Sequence, residues 1–217
     1  CQLPLRLHVE LKLRYKMKPI EFTYLTDDLS KELRRAGTPG LMPMASIKVN
    51  PSGCVMPEEY QLYAERLYNF QVREDDTWVI SYPKCGTMWT QEMVWLIQNN
   101  CDFEAARKSL LLQRFPFLEA ISIITQNKPD EDENVLFADT ISYVEEQASP
   151  RFIKTHLPTQ LLPQQIFTKK PKVIYVTRNP MDAAVSYYHH HRLWNGYTGS
   201  YESFMEGFLQ DKLVYSP

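Results

Sequence analysis

Short apolar runs alternate along this chain with segments in which apolar residues recur at helical spacing. The runs at 78–82, 151–155 and 172–177 are rich in β-branched and aromatic residues and are predicted to be strands. Because helical patterns separate them, the strands are predicted to pair in parallel, with helices as the crossover connections. The pattern therefore predicts an α/β fold in which a parallel sheet is flanked by helices.

Helices are also predicted upstream of this sheet. The segment 57–70 is predicted to be one helix, because apolar residues recur along it every three or four positions. Its predicted buried face consists of Tyr60, Tyr63, Ala64 and Leu67. By contrast, the segment 27–53 is rich in Pro, Gly and Ser, which predicts a covering loop with one short helix at 28–35.

The first predicted strand of the sheet runs into a helix through a turn that carries Lys84. The apolar stripe of this helix consists of Met88, Trp89, Met93, Leu96 and Ile97. The N–H groups of a first helical turn have no partner within the helix, and the helix dipole adds positive charge there. Together with the charge of Lys84, this junction is predicted to bind phosphate or sulfate. Taken alone, the segment also fits an ordinary surface lysine in a turn.

The third predicted strand ends in a second junction of the same kind. Arg178 follows the strand, Asn179 is the predicted N-cap and Pro180 is the first helical residue. The predicted buried face of this helix consists of Met181, Ala184, Val185 and Tyr188. Arg178 and Ser186, which lies off that face, bracket the first turns of the helix. Two cationic junctions at one edge of a parallel sheet predict a ligand with two separated anionic groups.

Composition restricts the class of protein further. The 217 residues have 44% hydrophobic content and a formal net charge of -2, which predicts one sizeable core and argues against a nucleic-acid partner. The 4 cysteines form no Cys-x-x-Cys pair, and no apolar run approaches the ~18 residues that cross a bilayer. We therefore expect a cytoplasmic protein without a membrane partner. Residues 17–217 are predicted to form a single domain, preceded at 1–16 by a leader outside the fold or an unprocessed segment.

Three strings of residues occur in order along the chain. They are Tyr82-Pro83-Lys84-Cys85-Gly86-Thr87-Met88-Trp89, Lys154-Thr155-His156-Leu157-Pro158, and Arg178-Asn179-Pro180 through Ser186-Tyr187-Tyr188-His189. In order and spacing these strings resemble the cytosolic sulfotransferase family, from about residue 40 to the C-terminus. The resemblance implies a P-loop-like sulfotransferase fold and transfer of a sulfuryl group from 3′-phosphoadenosine 5′-phosphosulfate (PAPS) to a small apolar acceptor. The implied acceptor is a phenol, steroid, amine or other alcohol, and the implied full-length form is a homodimer.

The resemblance also implies roles for individual residues. The implied 5′-phosphosulfate loop consists of Lys84, Cys85, Gly86, Thr87, Met88 and Trp89, with Trp89 against the adenine. Arg178 and Ser186 are implied to hold the 3′-phosphate, and His156 is the implied catalytic base. Histidine suits that role because its ordinary pKa of about 6.5 allows it to take the acceptor's proton at neutral pH. Lys84 and Lys154 are expected to stabilise charge on the leaving phosphate, so this chemistry requires no metal.

The chain departs from the family pattern at two loop positions and at its end. Cys85 stands where the family usually has serine, and Met88 where it has threonine or asparagine. Each lost donor is expected to weaken cofactor binding by ~0.5–1.5 kcal/mol. Cys85, at a helix N-terminus beside Lys84, is expected to have a lowered pKa and to oxidise readily. Because family members continue past position 217, a truncated, non-catalytic nucleotide-binding member is the alternative function.

Other features of the sequence have competing interpretations. The adjacent residues His189, His190 and His191 suggest a metal site, but successive helical side chains point ~100° apart and are not expected to share one ion. A nucleotide kinase of the P-loop type would require a Gly-Lys dipeptide, and the sequence contains none. Phe117 is predicted either to pack in the core or to line an apolar pocket.

Overall fold

The computed structural model describes residues 19–37, 43–124 and 139–216, so the predicted leader at 1–16 lies outside the described residues. The strands are β1 (Glu21–Tyr24), β2 (Ile47–Asn50), β3 (Val55–Met56), β4 (Thr77–Ser81), β5 (Phe152–Thr155) and β6 (Lys172–Val176). The α-helices are α1 (Asp28–Ala36), α2 (Tyr60–Tyr68), α3 (Thr87–Gln98), α4 (Phe103–Arg107), α5 (Leu111–Arg114), α6 (Thr140–Glu146), α7 (Ile166–Lys169), α8 (Pro180–Trp194) and α9 (Tyr201–Leu209). A 3₁₀ turn, Ala120–Ser122, follows α5. None of the described helices is both long and apolar enough to span a bilayer.

β4 is the central strand of a parallel sheet. The order across this sheet is β5-β4-β6, with Trp78 opposite Ile153 on one side and Val173 on the other. Every residue of β4 is buried, as its continuous apolar run predicts. Because the three strands are parallel, their carboxyl ends lie at the same edge. The predicted α/β fold, a parallel sheet flanked by helices, is confirmed.

Apolar side chains cover both faces of this sheet. Trp78, Ile80 and Ile153 point into the larger core, which they share with α2 and the strands β2 and β3. Val79 and Phe152 point the other way and pack near partly buried residues of α3. This arrangement follows from the two-residue period of a strand. The central strand is therefore held by packing on both sides, which gives the loop that follows it a rigid support.

A buried ion pair joins the amino-terminal ends of β4 and β5. Arg151 donates from Nε and Nη2 to the two carboxylate oxygens of Asp76, at 2.8 and 2.7 Å. Arg151 Nη2 also donates to the carbonyl oxygen of Gln71 at 2.8 Å. Burial of both charges is tolerated because the bidentate pair satisfies most of the guanidinium donors. The sheet is thus anchored at the edge opposite the carboxyl ends.

An antiparallel sheet of β1, β2 and β3 was not predicted. β2 lies within the segment 27–53, so the prediction of a loop there is wrong in this part, whereas the short helix predicted at 28–35 is confirmed as α1. β1 is largely exposed and β3 has 2 residues, so neither shows a clear two-residue alternation. The pairing is also remote in sequence, since Glu21 lies opposite Asn50.

The predicted apolar stripe of α3 does not form the face that packs on the sheet. Trp89 is 79% exposed and Ile97 is 70% exposed, whereas Thr87 and Gln91 are buried. The Gln91 side-chain amide donates to the carbonyl oxygen of Phe115 at 3.0 Å. Thr87, Gln91 and the partly buried Val94 and Trp95 therefore form the inward face of this helix in place of the predicted stripe.

The buried face predicted for α8 is partly wrong. Ala184 and Tyr188 are buried as predicted, but Met181 is 73% exposed and Val185 is 41% exposed. The residues that the structure buries on this helix are Ala183, Ala184, Tyr187, Tyr188 and His191. The hydroxyl of Tyr187 donates to the carbonyl oxygen of Val214 at 3.1 Å, and this remote contact favours a rotated helix. The predicted helix start is confirmed: the Asn179 side chain accepts the N–H of Met181, and Pro180 follows.

Candidate functional site

Three loops meet at the carboxyl edge of the parallel sheet. The loop at 82–86 follows β4, the loop at 156–158 follows β5 and the loop at 177–179 follows β6. Because β4 lies between the other two strands, its loop is adjacent to both of theirs. Lys84, His156 and Arg178, which these loops carry, therefore lie at one edge of the sheet, where open α/β folds bind their ligands.

The loop after β4 has a left-handed backbone at two positions. Lys84 has a φ of 66° and Gly86 a φ of 98°. A Cβ built at Gly86 would meet no atom within 4 Å, so its positive φ, and not a lack of space, favours glycine there. Turns of this kind direct successive N–H groups towards one side and form a concavity that suits an anion. The first turn of α3 continues this concavity with further N–H groups.

His156 is oriented by the end of β4. Its Nδ1 lies 2.6 Å from the carbonyl oxygen of Ser81. Since a carbonyl oxygen only accepts, Nδ1 carries the hydrogen, and in the neutral ring Nε2 has the free lone pair. Burial and the positive charge of Lys154 lower the pKa of His156 well below its usual value. The half-buried imidazole is therefore neutral at neutral pH and presents a proton acceptor.

Hydroxyl groups connect the imidazole with the helix that follows the first loop. Ser81 Oγ lies 2.6 Å from Thr87 Oγ1, and both residues are buried. The same Oγ lies 3.3 Å from His156 Nδ1. The start of α3 and the ring of His156 are thus held by one serine at the carboxyl end of β4.

Two aromatic rings flank the His156 imidazole. The ring centroids of Phe117 and Tyr215 lie 5.1 and 5.4 Å from it, both in edge-on geometry. Tyr215 is brought to this position by β3, because its N–H donates to the carbonyl oxygen of Val55 at 2.9 Å. Phe117 is partly buried against the larger core, which is the first of its two predicted positions. Its ring also borders the imidazole.

Lys154 lies on β5 two residues before His156. Its Nζ is 4.0 Å from the centroid of the Phe117 ring. Burial lowers the pKa of Lys154 to about 8, while the carboxylate of Glu119 opposes this shift and the charge of Lys84 adds to it. The ammonium group therefore keeps most of its charge at neutral pH and loses it in mildly alkaline solution.

Glu119 is a site residue that the sequence analysis did not single out. It is fully buried, and its Oε1 accepts the backbone N–H of His156 at 2.6 Å and the hydroxyl of Tyr215 at 3.3 Å. Burial raises the pKa of Glu119 to about 7, although the hydrogen bond from His156 and the charge of Lys154 act in the opposite direction. Its only sequence signal was its place after Phe117 and Leu118, a segment that pairs with β5 in the structure.

Arg178 connects the second cationic loop with the first. Its Nη1 donates to the carbonyl oxygen of Lys84 at 3.1 Å. Burial and the positive charge of Arg178 lower the pKa of Lys84. Arg178 itself is exposed. The two predicted anion loops therefore adjoin, and an anion between them would relieve the repulsion of the two cations.

The remaining predicted cofactor residues lie on the outer parts of two helices. Met88 and Trp89 are 66% and 79% exposed at the start of α3. Ser186 is half-buried on α8, and within the described ranges no hydrogen bond joins it to Lys84 or Arg178. The cofactor contacts of these three residues stay predictions.

His190 is a second site residue that the sequence analysis did not assign to the site. It is half-buried, and burial together with the charges of Lys84 and Lys154 lowers its pKa to about 4. Its side chain therefore lies near both lysines, whereas His189 is exposed and His191 is fully buried. The three adjacent histidines thus have three different surroundings. This agrees with the expectation that successive side chains of a helix point in different directions.

The expectation of a lowered pKa at Cys85 is wrong. The thiol is half-buried, and burial raises its pKa. The hydrogen bond and the positive charge that Arg178 contributes offset only part of this effect. Because the thiolate is the reactive form, the predicted ready oxidation of Cys85 loses its physical basis.

Comparison with known proteins gives consistent matches. The family described as "Sulfotransferase domain" matches residues 74–217. A luciferin sulfotransferase of Photinus pyralis is 43% identical over 162 residues, which cover 72% of this chain and 44% of that protein. Sulfotransferase 1E1 of Homo sapiens is 34% identical over 165 residues, which cover 75% of this chain and 52% of that protein. The chain thus spans about half the length of these curated relatives.

A solved structure extends the similarity to nearly the whole chain. The crystal structure of a retinol dehydratase in complex with retinol and PAP has 30% sequence identity and a TM-score of 0.77. The match covers 92% of this chain and 64% of that one.

Proposed function

Because the chain belongs to the sulfotransferase domain family, we propose that it transfers a sulfuryl group from PAPS to a hydroxyl or amine of a small apolar acceptor. The observation that carries this proposal is the 2.6 Å contact between His156 Nδ1 and the Ser81 carbonyl oxygen, which leaves Nε2 as a proton acceptor beside two cationic loops. PAP, the nucleotide that remains when PAPS loses its sulfuryl group, is bound in the similar retinol dehydratase structure.

The residues of the two loops suit the two anionic ends of PAPS. We assign the 5′-phosphosulfate to the loop formed by Lys84, Cys85, Gly86, Thr87, Met88 and Trp89. Support comes from the left-handed backbone of this loop and from the N–H groups of the first turn of α3. We assign the 3′-phosphate to Arg178 and Ser186. The hydrogen bond between Arg178 and the Lys84 carbonyl supports a single ligand that contacts both loops.

The proposed reaction needs a base and a stabilised leaving group. The acceptor oxygen or nitrogen forms a bond to sulfur while the bond from sulfur to the 5′-phosphate oxygen breaks. The acceptor proton passes to Nε2 of His156, which its lowered pKa keeps neutral and available. The leaving phosphate takes the bonding electron pair, and the ammonium groups of Lys84 and Lys154 stabilise its growing negative charge.

We propose a flat, apolar acceptor from the class of phenols, steroids, amines and other alcohols. The rings of Phe117 and Tyr215 beside His156 support this class, because aromatic side chains pack favourably on flat apolar molecules. The names of similar proteins also support an apolar acceptor, since one is a luciferin sulfotransferase and another is bound to retinol. A homodimer of the full-length form stays a prediction.

A transfer assay combined with a binding assay tests the proposed function. The 217-residue chain is incubated with PAPS carrying labelled sulfate and a panel of phenols, steroids, amines and retinoid alcohols. PAP binding is measured in parallel by calorimetry, and the Photinus luciferin sulfotransferase serves as a positive control. We expect both PAP binding and labelled product. PAP binding without transfer to any acceptor would favour the non-catalytic nucleotide-binding alternative, and the loss of both would overturn the proposal.

Replacing Cys85 by serine is expected to tighten PAP binding. A hydroxyl donor at the start of α3 would add one hydrogen bond to the bound phosphate, worth ~0.5–1.5 kcal/mol, or a ~2- to 10-fold lower Kd. Calorimetric titration with PAP measures this change. Cys101→Ser is the matched control, because Cys101 is exposed and far along the chain from the loop. Equal affinities of the Cys85→Ser variant and the parent would contradict this prediction and show that the side chain at position 85 does not contact the bound phosphate.

A further inference from the structure

We propose that Glu119 is a positioning residue whose carboxylate fixes the loop that carries His156 and places a negative charge beside the ammonium group of Lys154. The inference deepens the proposed sulfuryl transfer and rests on it. Glu119 is fully buried at the end of the segment that pairs with the outer edge of β5, and it contacts neither the predicted phosphosulfate loop nor Arg178 through a hydrogen bond among the described residues.

The first part of the proposal concerns the orientation of His156. Its backbone N–H donates to Glu119 Oε1 at 2.6 Å, and its Nδ1 donates to the Ser81 carbonyl oxygen at the same distance. One anchor holds the main chain and the other holds the ring. Above pH 7 the Glu119 carboxyl is mainly ionised, and a short hydrogen bond to an ionised carboxylate is stronger than one to a neutral acceptor. The direction of Nε2 therefore depends on both anchors.

The second part concerns the charge near Glu119. Cys54 and Tyr60 also lie close to its carboxylate, and burial raises the pKa of both, so they are neutral at neutral pH. Burial raises the pKa of Tyr215 as well, so this residue contributes a neutral hydroxyl donor. Lys154 is the cation beside Glu119 among these neighbours, because the Leu118 N–H donates to the Lys154 carbonyl oxygen at 3.0 Å and the Lys154 Nζ lies 4.0 Å from the centroid of the Phe117 ring. The charge of Lys154 lowers the pKa of the Glu119 carboxyl. The two charges stabilise each other in a region where water is largely excluded.

The other groups around Lys154 do not stabilise its positive charge, so Lys154 depends on Glu119 to stay protonated. Lys84 repels its positive charge, and burial removes the stabilisation that water would supply. His190 is neutral at neutral pH and offers no compensating charge. Glu119 is the neighbour that favours the protonated form of Lys154. The Glu119 carboxylate is ionised in the mildly alkaline range where Lys154 releases its proton. Its negative charge therefore stabilises the ammonium form of Lys154 in that pH range.

The variant Glu119→Gln separates positioning from a merely structural role. The glutamine oxygen still accepts the His156 N–H, but the negative charge is lost. We expect the pKa of Lys154 to fall, so that the alkaline limb of the pH profile of kcat moves down by ~1 pH unit while KM for PAPS changes little. The control is Glu65→Gln, which removes an exposed carboxylate of α2 and should leave the profile in place. An unchanged profile in Glu119→Gln would overturn the proposal.

Glu119→Asp tests the two parts separately and also serves if the glutamine variant does not fold. Aspartate keeps the charge, so the alkaline limb should stay in place. Its shorter side chain withdraws the acceptor from the His156 N–H, so kcat should fall ~10-fold or more, as expected when a catalytic group loses its orientation. A shifted limb with parental kcat in this variant would contradict both parts.

A measurement without turnover distinguishes failure of this inference from failure of the proposed function. The pH dependence of Lys154 acetylation by acetic anhydride, followed by mass spectrometry of the parent and of Glu119→Gln, reports the ionisation of Lys154 directly. We expect the midpoint of the variant to lie ~1 pH unit lower. Absence of sulfate transfer together with this shift would refute the proposed function alone. Transfer by the parent without the shift would refute the role of Glu119.

Discussion

Replacing His156 by alanine is expected to lower the rate of sulfate transfer by ~10²- to 10⁴-fold, the usual contribution of a general base. An alcohol is a poor nucleophile while it retains its proton, and in the structure the Nε2 lone pair of His156 is oriented by the Ser81 carbonyl to accept that proton. The residue is expected to contribute little to nucleotide affinity. Transfer of labelled sulfate from PAPS measures the rate, and calorimetry with PAP measures the affinity.

His189 provides a matched control for this substitution. It is a histidine on α8 that is exposed to solvent, and His189→Ala should transfer sulfate at the parental rate. The His156→Ala variant should bind PAP within about a factor of ten of the parent, because one neutral hydrogen bond is worth only ~0.5–1.5 kcal/mol. Parental turnover by His156→Ala would remove this residue from the mechanism. A large loss of PAP affinity would instead indicate that the loop after β5 had collapsed.

Removing the two cations of the adjoining loops is expected to abolish tight nucleotide binding. Lys84→Ala and Arg178→Ala should each raise the Kd for PAP ~10- to 100-fold, because a hydrogen bond to a charged group contributes ~1.5–3 kcal/mol. The double variant should lose ~10²- to 10⁴-fold in affinity. The two effects are not expected to add exactly, since Arg178 also donates to the Lys84 carbonyl at 3.1 Å. Calorimetry of the parent, both single variants and the double variant measures the coupling.

Arg192 provides the control for this charge removal. It lies near the end of α8, the helix that begins just after Arg178. Its side chain is exposed and donates to the Tyr188 hydroxyl at 3.3 Å. Arg192→Ala should bind PAP as the parent does. Binding by the parent should also weaken with added salt, whereas the double variant should show a smaller dependence. Unchanged affinity in the double variant would mean that the two loops do not hold the nucleotide.

Much of the site was predictable because its framework follows local rules. The run at 78–82 is largely apolar and predicts a buried strand, and β4 is central and fully buried. Asn179 and Pro180 begin a helix because one caps N–H groups and the other fits the first helical position. Lys84 and Arg178 then follow parallel strands, which place them at the same edge. The family match over residues 74–217 confirms the resemblance that these motifs suggested.

Other features depend on contacts between residues remote in sequence. Glu119 looked unremarkable, because nothing in its own segment shows that it accepts the His156 N–H. Tyr215 reaches the imidazole only through pairing with Val55 in a sheet that the sequence did not predict. The direction of the pKa shift at Cys85 also depends on the tertiary structure, because burial of the thiol outweighs the nearby positive charge.

The amino-acid sequence by itself determined the three strands of the parallel sheet, the helices α3 and α8 that follow two of them, the position of the two cationic turns, and the family to which the chain belongs. Those properties depend on spacing, capping and backbone preference, which act over a few neighbouring residues. The tertiary structure alone decided which faces of α3 and α8 are buried and which nitrogen of His156 is free. It also decided that the buried Glu119 carboxylate accepts the backbone N–H of that histidine, because segments distant in sequence determine burial and local charge.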